Sequence, residues 1–121
     1  MRMLVVDDED VITFACRSYF TLTGFEVDTA SRRDEAIELL STRTYDVLIA
    51  DVRLTGSEEA EGLEVVRFAR GQSETMVIVV LTAYRASAVQ ADARGADVLL
   101  QKPKRLPEIA ATVNELLGAR R

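Results

Sequence analysis

Five short apolar runs, rich in β-branched residues, recur along the chain, and each is followed by a longer stretch of helical period. This alternation narrows the possible folds more than any other feature. Parallel strands cannot be joined by tight hairpins and need crossovers of a dozen or more residues, usually helices. Such helices cover both faces of the sheet, so its inner strands read as unbroken apolar runs. The runs predict strands at 3–7, 25–29, 46–51, 76–82 and 97–101. Leu4-Val5-Val6, Val47-Leu48-Ile49 and Val77-Ile78-Val79-Val80-Leu81 are continuously apolar, as central strands are, whereas Phe25-Glu26-Val27-Asp28-Thr29 alternates and suits an edge with one wet face.

The intervening stretches carry helix punctuation. The first helix begins in the acidic run Asp7-Asp8-Glu9-Asp10, where carboxylates favour the positive end of a helix, and stops near Gly24, a left-handed cap. The second starts at Ser31, with Asp34 and Glu35 near the capping-box position and Ala36, Ile37 and Leu40 facing inward. A third is expected over 62–70, ended by Gly71, and a fourth, alanine-rich, around 87–94. In the fifth, Pro107 sits near the first helical position, and Leu106, Ile109, Ala110, Val113, Leu116 and Leu117 form one apolar stripe.

A length of 121 residues fits one domain spanning 1–121. The apolar run at the N-terminus is too short for a signal peptide and is stopped by acid, and no stretch reaches membrane-spanning length, so the expected compartment is the cytoplasm. Fifteen basic against twenty acidic residues give a formal charge of −5, which opposes attraction to nucleic acid. The single Cys16, among Val11, Ile12, Phe14 and Ala15, reads as a buried small hydrophobe, and one cysteine with no histidine disfavours a structural zinc site.

In an open parallel sheet the ligand site lies beyond the carboxyl ends of the strands, where the connections switch faces. The predicted strands end in Asp7-Asp8, Asp51, Thr82 and Lys102-Pro103. In a flavodoxin-like order 2-1-3-4-5, the first and third strands are neighbours, so these carboxylates converge, joined by a hydroxyl and an ammonium from the next two strands. Close carboxylates raise one another's pKa and call for a cation. Mg2+ suits all-oxygen ligands and is usually held by one or two carboxylates plus a phosphate. Beside it a carboxylate can serve as a nucleophile and form an aspartyl phosphate. Thirteen of the fifteen basic residues are arginine, and Lys102 and Lys104 are the two lysines, so a compact ammonium stands where the chain elsewhere uses guanidinium. Each strand end alone has an ordinary reading as a helix cap, turn or strand exit; the conjunction points to phosphoryl transfer.

Leu4-Val5-Val6-Asp7-Asp8-Glu9, Asp46-Val47-Leu48-Ile49-Ala50-Asp51, Val80-Leu81-Thr82-Ala83 and Gly95-Ala96-Asp97 followed by Lys102-Pro103 resemble, in order and spacing, the receiver domain of bacterial response regulators over essentially the whole chain. The resemblance implies a doubly wound (βα)5 three-layer sandwich that catalyses only its own phosphorylation and dephosphorylation. Asp51 corresponds to the phosphoacceptor, Asp8 to a direct Mg2+ ligand with Asp7 assisting through water, and the backbone carbonyl of Arg53 to a further ligand. Thr82 and Lys102 match the positions that contact the phosphoryl group. The implied donor is a phosphohistidine on a sensor histidine kinase or histidine phosphotransfer protein, and the implied output is a changed surface for a downstream protein target, with the chain a monomer or weak dimer.

Three positions depart from the family pattern. Thr55 stands where a proline usually follows the acceptor, and the segment 56–62 reads as a loop roughly three residues longer than usual. Leu99 occupies the place of a switching aromatic, leaving Tyr84, two beyond Thr82, as its partial substitute. Lys104 replaces the aromatic that often follows Lys-Pro. These departures motivate a competing reading as a receiver-like interaction module that signals without phosphorylation. A haloacid-dehalogenase-type phosphatase is disfavoured because Arg53 stands where its second aspartate belongs, and a flavodoxin because the first loop is acidic where a phosphate would be cradled.

Overall fold

The computed structural model describes residues 1–51, 57–82 and 95–120. Within them the elements run β1 (Arg2–Val6), α1 (Asp10–Leu22), β2 (Glu26–Ala30), α2 (Arg33–Thr42), β3 (Val47–Asp51), α3 (Ser57–Gln72), β4 (Val77–Thr82), β5 (Val98–Gln101) and α4 (Leu106–Ala119). All strand pairings are parallel and the order is β2-β1-β3-β4-β5, as the strand patterns predict. The alternating strand β2 lies at an edge. The fourth predicted helix, at 87–94, lies outside the described residues, so the fifth predicted helix is α4.

Strand periodicity sorts the core into two layers. Leu4, Val6, Leu48, Ala50, Ile78 and Val80 point to one face, where Ala36 and Leu40 of α2 and Leu63, Val66 and Ala69 of α3 cover them. Met3, Val5, Val47, Ile49, Val77, Val79 and Leu81 point to the other, against Cys16 and Phe20 of α1 and Ile109, Ala110 and Val113 of α4. Successive side chains of a strand face opposite ways, so a run that is apolar throughout can feed both layers. Each fully buried Val or Leu contributes roughly 1.5–3 kcal/mol relative to exposure.

Helix α1 ends as its glycine predicts. Gly24 has φ +102°, Gly24 N–H donates to Thr21 O (3.2 Å), and Phe25 N–H donates to Phe20 O (3.0 Å). These are the two bonds of a Schellman cap, and the edge-to-face contact of Phe20 with Phe25, with centroids 5.9 Å apart, supplies its hydrophobic clasp. At the start of α2, Ser31 N–H donates to Glu35 Oε1 (2.8 Å), so Glu35 does reach back, although the helix itself begins at Arg33 rather than Ser31.

Helix α3 departs from expectation. It starts at Ser57 instead of near Gly62, so most of the segment read as a lengthened loop is an added helical turn. The sequence Ser57-Glu58-Glu59-Ala60-Glu61 combines good helix formers with acids in the first turn, and that local preference outweighs the single Gly62, whose cost within a helix is about 1 kcal/mol. No described helix is long and apolar enough to cross a membrane.

Candidate functional site at the carboxyl ends of the strands

Parallel pairing aligns the strand ends. In the register Val6 lies opposite Ala50, Asp51 opposite Leu81, and Thr82 opposite Gln101, so the residues that follow or close β1, β3, β4 and β5 meet at one rim of the sheet. Carboxylate oxygens of Asp7, Asp8 and Asp51 all lie within 4.8 Å of one another. Lys102 reaches this cluster from β5, its Nζ 2.8 Å from Asp51 Oδ1 and 3.2 Å from Asp7 Oδ2. Its backbone N–H donates to Thr82 O (2.6 Å), which fixes the root of the side chain, and the Lys102-Pro103 peptide is cis.

Burial differs sharply among the three acids. Asp7 is buried, Asp51 nearly so, and Asp8 is exposed. Both oxygens of Asp7 are engaged: Oδ1 accepts from Glu9 N–H (2.9 Å) and Oδ2 from Lys102. Burial pushes the Asp7 carboxyl above its ordinary range; the Glu9 N–H opposes the rise, the Asp51 charge adds to it and Lys102 opposes it. Burial would lower the Lys102 ammonium, but its hydrogen bond and attraction to Asp51, seconded by Asp7, outweigh that and raise it. One ammonium is thus shared by two carboxylates and sits closer to Asp51 than to Asp7.

The side chain of Thr82 is fully buried at the end of β4, beside the Lys102 main chain. Leu99, half-buried on β5, packs with the α2/α3 layer. Arg53, with its backbone carbonyl, Thr55 and Tyr84 lie outside the described residues. The Glu9 amide was not anticipated from residue types, since a main-chain donor leaves no side-chain signature. The available signal was an aspartate two residues before it at a helix entrance, the spacing of an Asx-turn.

Three oxygen-bearing acids, an ammonium and a hydroxyl at a sheet's switch point match the chemistry of a phosphoryl-accepting site with a hard divalent cation. The family model described as "Response regulator receiver domain" matches residues 3–114. The chain belongs to this family. Among curated relatives, the phosphate regulon transcriptional regulatory protein PhoB of Rhizobium meliloti is 38% identical over 120 residues, covering 96% of this chain and 52% of that protein. The receiver here therefore spans about half the length of such a relative. Among solved structures, the response regulator protein TrrA from Thermotoga maritima, in complex with Mg(2+)-BeF, is 32% identical with a TM-score of 0.81, covering 96% of this chain and 98% of the other. A response regulator protein from Burkholderia pseudomallei, solved with a phosphorylated aspartic acid, calcium ion and citrate, is 25% identical with a TM-score of 0.77, covering 98% of this chain and 71% of the other.

Proposed function

We propose that residues 1–121 form one receiver domain in which Asp51 accepts a phosphoryl group from a phosphohistidine on a sensor histidine kinase or histidine phosphotransfer protein. The observation that carries this reading is the Lys102 ammonium lying 2.8 Å from Asp51, at a rim where Asp7 and Asp8 also gather. An Asp51 carboxylate oxygen attacks phosphorus, an O–P bond forms, and the N–P bond to the donor imidazole breaks, with the electron pair returning to that nitrogen. Lys102, already poised over the acceptor, follows the new phosphoryl oxygens as a point charge. Thr82, at the end of the neighbouring strand, supplies a hydroxyl donor.

The clustered acid oxygens fit Mg2+, with Asp8 and Asp51 as direct ligands, Asp7 assisting through water, and the carbonyl of Arg53 as the ligand expected from sequence. The exposure of Asp8 and the full engagement of Asp7 support that division. When bound, the ion supplies positive charge that offsets the acids and the incoming phosphoryl group. The same residues serve hydrolysis of the aspartyl phosphate, in which a water oxygen bonds to phosphorus, the Asp51 O–P bond breaks, the carboxylate keeps the electron pair and inorganic phosphate leaves, so self-phosphorylation and self-dephosphorylation are the catalysis proposed. The output is a population shift that alters a surface for a downstream protein.

Helix α1 and the turn after β5 border the site and offer the donor a surface to dock on. Val11 and Phe14 are largely exposed there, beside an apolar groove of about 300 Å3 lined in part by Ile12, Cys16, Pro103 and Leu106, with Lys102 and Lys104 at its rim. Such a surface suits a helical partner with an apolar face. The module that signals without phosphorylation is not favoured, since acceptor, acids and lysine are all retained and converge.

Incubation with acetyl phosphate and Mg2+ followed by intact-mass measurement tests the assignment. A labile phosphoryl adduct is expected in the native chain and none in Asp51→Asn. An adduct that persists in Asp51→Asn would move the acceptor elsewhere.

A further inference from the structure

Strand β5 is held by charge at both ends. At its carboxyl end Lys102 pairs with Asp51 and Asp7. At its amino end Asp97 is a hub: its N–H donates to Ile78 O (2.8 Å), its Oδ2 accepts from Ile78 N–H (2.7 Å) and Arg70 Nη2 (3.0 Å), and its Oδ1 accepts from Arg120 Nη2. Arg70 also donates to Gly95 O (2.8 Å), Glu74 O (2.9 Å), Met76 O (2.9 Å) and Ser73 O (3.3 Å). Arg120, which caps α4, donates to Glu74 O as well (3.3 Å). One carboxylate and two guanidiniums thereby tie together the end of α3, the start of β4, the start of β5 and the end of α4.

This clasp has little freedom to slide. Gly95 adopts φ +100°, and a Cβ there would come within 3.2 Å of Arg70 Cβ, so the arginine stem lies directly against the turn that enters β5. Side-chain exposures of 23% for Arg70, 17% for Asp97 and 32% for Arg120 keep the triad partly shielded from solvent screening. The four residues of β5 separate Asp97 from Lys102, five steps along the chain that span roughly 16 Å. β5 ends the sheet and, among the described residues, has a strand partner on one side only, β4, so its two charged ends add anchors to a one-sided ladder.

We propose that Asp97, gripped by Arg70 and Arg120, is a positioning residue for Lys102, and that β5 couples the ionic state of the Asp51 site to the carboxyl end of α4. This rests on the reading of Asp51 as phosphoacceptor. When phosphoryl oxygens replace the acceptor carboxylate as the partner of Lys102, the lysine and its strand shift, and the clasp, which has little slack, carries the shift to the carboxyl end of α4. By reciprocity, loosening the clasp changes how Lys102 meets the phosphoryl group.

The experiment follows the side-chain Nε–Hε signals of Arg70 and Arg120 and the backbone amide of Lys102 by NMR in the full chain, with and without beryllofluoride and Mg2+. All three signals are expected to move. Asp97→Asn removes the hub itself and can unfold β5, so the functional arm uses Arg120→Gln, which leaves Arg70 in place. Arg120→Gln is expected to form the acetyl phosphate adduct yet change its lifetime by about three- to tenfold, with Arg120→Lys restoring most of the native value. A Lys102 amide that moves while both arginines stay still, or an unaltered lifetime in Arg120→Gln, overturns the coupling and leaves the acceptor reading intact. No adduct and no movement at Lys102 removes the acceptor reading and the coupling with it.

Discussion

At the carboxyl rim of the sheet the carboxylates of Asp7, Asp8 and Asp51 crowd together, with the Lys102 ammonium on two of them, whereas two sheltered acids away from that rim, Asp28 midway along β2 and Asp97 at the amino end of β5, are matched or outnumbered by donors. Asp28 accepts from Tyr45 Oη (2.7 Å) and Arg43 (2.9 Å), and Asp97 from two arginines and a main-chain amide. Matched clusters hold elements in place. A cluster with excess acid is a poor structural device, because like charges repel and burial penalises each of them. Its excess suits a divalent cation, which three such acids could hold. The proportion of acid to base thus separates the two kinds of cluster more sharply than the number of charges does.

Perturbing each kind in turn sharpens that contrast. The largest effect is expected for Arg70→Ala, which strips Asp97 of a partner and leaves several carbonyls without their donor. Unfolding free energy should fall by about 3–5 kcal/mol, read from a denaturant titration. A loss under 1 kcal/mol would dissolve the distinction between the two kinds of cluster. Lys102→Ala at the carboxyl rim is expected to leave a folded chain but slow adduct formation from acetyl phosphate by about 10²–10³-fold, read by timed intact mass.

Mg2+ at a hundred times its Kd should stabilise the native chain by about 2.7 kcal/mol, visible as a rise in Tm, and the gain should vanish in Asp8→Ala. An equal gain in that variant would place the ion away from these acids. The smallest effect concerns Tyr45. Burial alone would raise the Asp28 carboxyl, but the Tyr45 hydroxyl and then Arg43 outweigh it and hold it below its ordinary 3.8. A depressed carboxylate stabilises the fold above its unfolded value and loses that contribution as pH falls through the depressed one. Tyr45→Phe should cost roughly 1.5 kcal/mol at neutral pH, with the deficit shrinking below pH 3.8 in acid unfolding curves.

Much of this was legible in the order of residues. Val47-Leu48-Ile49 announces a strand buried on both sides, Phe25 to Thr29 an edge, and Gly24 a helix end, because burial pattern and backbone handedness are local properties. Strand-end residues are legible for the same reason: parallel strands of known order must bring Asp7, Asp51, Thr82 and Lys102 to one rim. Helix α3 starts earlier than its expected bound near Gly62 because the favourable run 57–61 extends it at a cost of about 1 kcal/mol for the glycine. The main-chain amide of Glu9 and the arginine clasp escaped notice because their partners are defined by packing.

What the sequence alone determined is the layering of this receiver and the company its acids keep, since a two-residue strand period and a helical period are written in neighbouring positions. Only the tertiary structure decided how the charges are shared: that Lys102 reaches Asp7, 95 residues away in the chain, while also holding Asp51, and that Asp97 lies between positions 70 and 120. Ion pairing depends on distances of a few ångströms in a shielded setting, and no local pattern in a chain encodes which far-off side chain will arrive there.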